Sequence, residues 1–223
     1  NIQHCLRYAK PLIDKNLPVI YNTPNLAALV GYKTSYLKKA ALYTSHFYTS
    51  YKIRKKSGTG NRFIQEPLPS LKEIQLWILK EVLYNLPVSK FAKAYVPNRD
   101  IVDNVRYHKG KDIVLTLDIE NFFTNVRRTY VERIFKEVGY SSNIANLLSK
   151  LCCCFDSLPQ GAPTSPCLSN LYLRDFDVDV SEYCISRSIR YTRYADDLAF
   201  SGTFEKDEMV DFIKKNLQKH AFH

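Results

Sequence analysis

Two adjacent carboxylates, Asp196 and Asp197, lie inside the run Arg190-Tyr191-Thr192-Arg193-Tyr194-Ala195-Asp196-Asp197-Leu198-Ala199-Phe200-Ser201. The flanks are aromatic, β-branched and aliphatic, which predicts two strands joined by a tight turn. Neighbouring side chains in a strand point to opposite faces, but a turn breaks that alternation and lets both carboxylates reach one side. Crowded carboxylates repel, and a divalent cation is the usual means of keeping both ionised. A metal site needs a further oxygen ligand. Asp118 is the candidate, at the C-terminal end of a strand in which Ile113, Leu115, Leu117 and Ile119 alternate with Val114, Thr116 and Asp118. Apolar residues on both faces predict a central strand covered on both sides. A carboxylate at its end is costly unless solvated, paired or metal-bound. The alternative is that Asp118 caps the following turn.

Other elements must position these groups. Residues 1–50 read as helical, with Leu26, Leu29, Val30, Tyr36, Leu37, Ala40 and Ala41 at helical spacing. The piece Leu26 to Leu37 resembles a helix-turn-helix, but packing as an N-terminal helical extension is the preferred reading. Residues 51–66 read as a hairpin with Lys52, Arg54 and Lys56 on one face and Tyr51, Ile53 and Lys55 on the other. Lys55, Lys56 and Arg62 could close over phosphates, or the hairpin is a charged edge that resists aggregation. Ser70 to Glu73 predicts a capping box opening a helix, with Leu71, Ile74, Trp77, Ile78 and Val82 as its apolar face and Trp77 in the core. Ile101 to His108 predicts a short helix in which His108 is an ordinary surface or packed histidine. After Phe122-Phe123, one helix carries Val131, Ile134, Phe135 and Val138 and stops at Gly139; another carries Ile144, Leu147, Leu148 and Leu151. The loop Ser157 to Pro166 is stiffened by three prolines. Ser165 as N-cap and Pro166 at the first turn predict a long helix through Leu168, Leu171, Tyr172, Phe176, Val180 and Tyr183. A last amphipathic helix is expected over 205–219.

The 223 residues carry a net charge of +10. Residues 1–111 hold 19 Lys and Arg against 6 Asp and Glu, and residues 112–223 hold 13 against 16. A basic front half suggests a polyanion partner, the alternative being a solvated basic surface. Cys5, Cys152, Cys153, Cys154, Cys167 and Cys184 lack zinc-site spacing, so the central three read as small buried hydrophobes. No apolar run approaches the ~18 residues of a membrane span. No signal-peptide pattern opens the chain, and a soluble cytoplasmic protein with no membrane partner is expected. The start at Asn1 rather than Met predicts a fragment or a processed chain.

Read together and in order, four features resemble bacterial reverse transcriptases. They are the basic hairpin up to Arg62, Asp118 with Phe122-Phe123, Leu158-Pro159-Gln160-Gly161-Ala162-Pro163-Thr164-Ser165-Pro166, and Tyr194-Ala195-Asp196-Asp197. Asn104-Val105-Arg106-Tyr107-His108 resembles the N-A-x-x-H element of the retron type, with Val105 in place of Ala. The resemblance implies an α+β right-hand polymerase: an antiparallel palm sheet backed by helices, fingers, and an N-terminal helical extension. The corresponding domains are 1–50 (extension), 51–111 (fingers) and 112–223 (palm, with a helical insertion at about 127–156), and the thumb is expected beyond His223.

The implied activity is RNA-directed DNA synthesis with two Mg²⁺ ions held by Asp118, Asp196, Asp197 and the Ile119 carbonyl. Lys55 and Arg62 would contact the triphosphate, Gln160 the incoming nucleotide, and Phe123 would crowd a 2′-OH. Tyr194 would pack near the primer end, and Asn104 and His108 would bind RNA. The implied partners are a noncoding RNA template and primer, its branched DNA product, deoxynucleoside triphosphates and an effector protein in antiphage defence. Alternatives are a group II intron or other defence-associated reverse transcriptase, or a non-catalytic RNA-binding scaffold.

Overall fold

The computed structural model describes residues 2–54 and 60–222. In chain order its first elements are helices α1 (Ile2–Ile13), α2 (Thr23–Val30) and α3 (Thr34–Leu42), strands β1 (Tyr48–Arg54) and β2 (Asn61–Pro67), and helix α4 (Pro69–Glu81). Next come α5 (Ile101–His108), β3 (Ile113–Asp118), α6 (Phe122–Asn125), α7 (Arg128–Val138) and α8 (Ser142–Cys152). The last are α9 (Ser165–Tyr172), α10 (Arg174–Ser186), β4 (Arg190–Tyr194), β5 (Asp197–Gly202) and α11 (Lys206–Lys219). Helices thus flank two small antiparallel sheets. The chain divides into two compact units, Asn1–Leu86 with Val126–Leu168 and Pro87–Asn125 with Ser169–His223. The charge follows this division. The first unit has 18 Lys and Arg against 7 Asp and Glu, net +11, and the second has 14 against 15, net −1.

In the first unit, Asn22 caps α2 by accepting the Asn25 N–H at 2.9 Å, and Leu26, Leu37 and Ala40 are fully buried, as the packing role expects. The hairpin pairs Lys52 with Phe63 and Arg54 with Asn61. Lys55 and Lys56 lie outside the described residues. The capping-box expectation does not hold. Pro69 supplies the first turn of α4, so Ser70 is already inside the helix, and Glu73 instead accepts the Tyr32 hydroxyl. Trp77 is only partly buried; Gln75 takes the core position, donating to Tyr48 Oη at 2.7 Å and to the Leu151 carbonyl at 2.8 Å. Amphipathic α7 and α8 bury Val131, Phe135, Ile144, Leu148 and Leu151, and Gly139 at φ +124 ends α7. Cys152, Cys153 and Cys154 are free and buried, and burial pushes the Cys152 thiol up to about 12 and Cys154 to about 11.

The second unit is built on a sheet of order β3-β5-β4. This corrects the expectation of a central β3. The middle strand is β5, with Leu198 to Gly202 buried, while β3 is an edge whose outer row, Val114 (53% exposed), Thr116 and Asp118, faces solvent. Val114 and Thr116 are β-branched and so mimic a strand covered on both faces. The long helix is also broken. Its run splits at Leu173 into α9 and α10, and Ser165 is the first residue of α9, its hydroxyl donating to the Pro159 carbonyl at 2.7 Å. No helix among the described residues is long and apolar enough to cross a membrane.

Candidate functional site

Strands β4 and β5 are joined by two residues, Ala195 and Asp196, with Tyr194 and Asp197 as the closing pair. Ala195 sits at φ +60, a left-handed conformation that costs a non-glycine residue about 1–2 kcal/mol. Arg193, fully buried, holds this turn. Its Nη1 donates to the Ala195 carbonyl at 3.2 Å and to Asn170 Oδ1 at 2.8 Å. Its Nε and Nη2 fork onto Asp177 Oδ1 and Oδ2 at 2.9 and 2.7 Å, and Tyr191 Oη donates to Asp177 Oδ1 at 2.7 Å. A buried pair this well bonded is costly to break, on the order of 3–5 kcal/mol when one partner is lost, which makes it a rigid seat for the turn. Sequence reading passed over Arg193, Asp177 and Asn170. The available signals were an arginine within an apolar strand and an aspartate beside Phe176 on a helix's buried face.

Asp118 lies directly opposite Asp197 in the β3–β5 register, and the Ile119 N–H donates to the Asp196 carbonyl at 3.0 Å. Three carboxylate residues are thereby brought to one end of the sheet. Asp118 and Asp197 are exposed and Asp196 partly so, and solvation is therefore what relieves the Asp118 charge at the end of its strand. The Asp197 carboxyl is held above the ordinary carboxylate range, first by partial desolvation and then by the charges of Asp196 and Asp118. Among the described residues no group of three or more His, Cys, Asp or Glu side chains is arranged to hold a metal ion. The donor set is nonetheless the hard, sparse one that suits Mg²⁺, which combines a few carboxylates with substrate phosphates and water.

The other sequence candidates fall in both units. In the first, the Gln160 carbonyl accepts the Gln65 N–H at 2.8 Å, seating the loop on β2 three residues from exposed Arg62. Gly161 makes this approach possible. It sits at φ +132, and a Cβ there would lie 2.8 Å from the Gln65 carbonyl oxygen. In the second unit, Phe123 is partly exposed, with its ring edge-on to buried Phe122, which stacks on Phe222. Tyr194 is partly buried at the end of β4.

Asn104 and His108 face the sheet. His108 is 7% exposed, with Nδ1 at 2.7 Å from Ser201 Oγ and Nε2 at 2.6 Å from Thr192 Oγ1. The Thr192 hydroxyl donates to Asn104 Oδ1 at 2.5 Å, so Nε2 carries the histidine proton towards Thr192 and Nδ1 accepts from Ser201. Burial, then Arg190 and Lys93, lower the His108 pKa, consistent with this neutral tautomer. The packed reading of His108 therefore holds, and the two residues latch α5 onto β4 and β5.

A family model described as "Reverse transcriptase (RNA-dependent DNA polymerase)" matches residues 53–222. The chain belongs to the reverse transcriptase family. It is 35% identical over 193 residues to the Retron Ec86 reverse transcriptase of Escherichia coli, covering 86% of this chain and 60% of that one. It is 34% identical over 203 residues to the Retron Mx162 reverse transcriptase of Myxococcus xanthus (81% and 42%), and 36% over 173 residues to the Retron Ec83 reverse transcriptase of Escherichia coli (72% and 54%). The resemblance to retron-type enzymes is thus borne out. The chain spans about half the length of the curated relatives it matches.

Proposed function

We propose that the protein is a retron-type RNA-directed DNA polymerase that copies part of a structured noncoding RNA into DNA, leaving a branched RNA–DNA product. One observation carries this reading: Asp118 opposite Asp197, with Asp196 on the adjoining turn, in a reverse transcriptase chain. Asp118 and Asp196 would be the main ligands of two Mg²⁺ ions, with Asp197 assisting and the Ile119 carbonyl as a further oxygen ligand. When bound, Mg²⁺ stabilises charge on the attacking and leaving oxygens of an in-line displacement. A primer hydroxyl would release its proton to water, its oxygen forming the new bond to the α-phosphorus as the bond to pyrophosphate breaks.

The chain's own residues position the reactants. Arg193 seats the aspartate turn, and Tyr194 packs near the primer terminus. Phe123 crowds a 2′-OH and so selects deoxynucleotides. Gln160 contacts the incoming nucleotide, with Arg62 and Lys55 at its triphosphate. Asn104 and His108 contribute to RNA binding through the position they give α5. The corresponding cellular reading is a cytoplasmic enzyme of antiphage defence that works with an effector protein.

The test is primer extension by the intact protein carrying Asp196→Asn and Asp197→Asn, with RNA binding measured in parallel. Synthesis is expected to vanish while binding persists, and undiminished extension would sink the mechanism. Ribonucleotide incorporation by Phe123→Ala checks the gate. Sequencing the nucleic acid that copurifies from the host checks the branched product.

A further inference from the structure

In the first unit, the chain between α8 and the Gln160 loop makes a two-residue reversal. Cys154 and Ser157 exchange backbone hydrogen bonds at 2.9 and 3.2 Å, and the residues between them, Phe155 and Asp156, both have positive φ, +47 and +60. Two left-handed central residues define the turn that favours Asn-Gly, and a bulky aromatic in that conformation is an outlier. Burial does not explain the choice, because Phe155 is 67% exposed. The turn is nevertheless fixed. The Arg128 N–H donates to the Asp156 carbonyl at 2.9 Å and its Nε to Asp156 Oδ1 at 2.8 Å. A strained residue that is tightly held and left in solvent points to a function for its side chain.

Beside the ring is a surface pocket of about 240 Å³ whose polar lining includes Lys150, Thr44 and Ser45, with Leu42 at its apolar edge. Asp156 is neutralised by Arg128, and Glu132 by Arg128 and Lys136. Among the described residues no carboxylate pairs with Lys150, which leaves it as the pocket's uncompensated cation. We propose that Phe155 is a stacking platform for one base of single-stranded nucleic acid, with Lys150 and the Thr44 and Ser45 hydroxyls holding the adjoining phosphate. An aromatic face beside a cation is the recurring design of sites that hold unpaired strands without reading sequence. The net charge of +11 on this unit favours a polyanion over an acidic or apolar protein surface. The proposal rests on the reverse transcriptase reading, in which unpaired template and displaced product both need a surface outside the catalytic centre.

The test uses the intact protein without divalent cation, and the anisotropy of labelled oligouridylate and oligothymidylate about a dozen nucleotides long. Phe155→Asn removes the ring but suits the left-handed turn, so it is expected to fold at least as well as the parent. It should bind about tenfold more weakly, the loss of one stacked base. Phe155→Tyr should bind as the parent does, and Lys150→Gln should bind more weakly and with a smaller salt dependence. The two oligonucleotides report whether RNA, DNA or both occupy the site. Unchanged binding by a well-folded Phe155→Asn protein overturns the proposal, as does thiouridine RNA that photo-crosslinks to the protein but gives no crosslink at Phe155. Primer extension by the parent protein is run alongside. No extension with a clear Phe155→Asn binding defect defeats the polymerase reading and leaves the site standing; active extension with no binding defect does the reverse.

Discussion

At the end of the β3–β5 ladder, Asp197 faces Asp118 across the strands and follows Asp196 along the chain, so three negative charges share one edge of the sheet. The Asp197 carboxyl is pushed up by partial desolvation and by those two neighbours. A raised folded-state value means that the native protein holds this proton more tightly than the unfolded chain. Stability therefore falls as pH rises from the ordinary carboxylate range through the raised value. Asp197→Asn is expected to raise stability at neutral pH without divalent cation, by the few tenths to about 1 kcal/mol typical of one cross-strand charge pair. It should give no gain near pH 4 and should lower DNA synthesis at pH 7. Melts at the two pH values check this; the same gain at both would show that crowding is not the cause. The carboxylates were legible in the sequence because a paired aspartate motif flanked by strand-forming residues has few other uses. Their support was not. Arg193 lies on a different element from Asp177 and from Asn170, and their mutual bonds exist only once α9, α10 and β4 have packed.

Elements carry constraints of another kind, because a loop or helix works only while it stays seated. The Gln160 loop rests on β2 through the Gln65 hydrogen bond, and Gly161 is the residue that lets the backbones approach. Gly161→Ala combines a backbone conformation unsuited to alanine with a clash against a carbonyl oxygen. It is expected to cost on the order of 2–3 kcal/mol and to raise the nucleotide KM. A thermal melt with steady-state kinetics checks both, and a wild-type KM would separate the loop from nucleotide binding.

Helix α5 is seated instead by His108 and Asn104 on Thr192 and Ser201. Because the His108 pKa is lowered on folding, the unfolded chain takes up its proton first as pH falls below about 6.5. The latch contributes its full stability above that value and loses it on acidification. His108→Gln should lower stability by about 1 kcal/mol at pH 7.5, the scale of one net hydrogen bond, and shrink the further loss between pH 7 and 5. Parallel unfolding curves for the two proteins would show the difference in slope, and identical slopes would remove His108 as its source. The helix 101–108 and its histidine were readable from spacing, but the hydroxyl partners were not. Nor was the edge position of β3, because strand order is a tertiary fact and its outer row carries β-branched residues.

Across the whole molecule, the excess of positive charge belongs to one unit: +11 against −1. Sequence halves had already shown the asymmetry, but the unit boundaries differ from a simple cut because α7 and α8 join the N-terminal residues. A basic unit that follows a phosphate backbone binds by releasing counterions, so affinity for RNA should fall linearly with salt on logarithmic axes. Each phosphate contact on a single strand contributes about 0.7 to that slope. Lys52, exposed on β1, is a first-unit candidate, whereas Lys214 and Lys215 lie exposed on α11 of the second unit. Lys52→Gln is expected to lower the slope by about 0.7, while Lys214→Gln with Lys215→Gln should leave it unchanged although it removes twice the charge. Salt titrations of RNA binding by the three proteins provide the measurement. Equal effects from the two units would mean that net charge alone attracts the RNA. A larger effect from the α11 pair would move the RNA path to the unit that carries the aspartates.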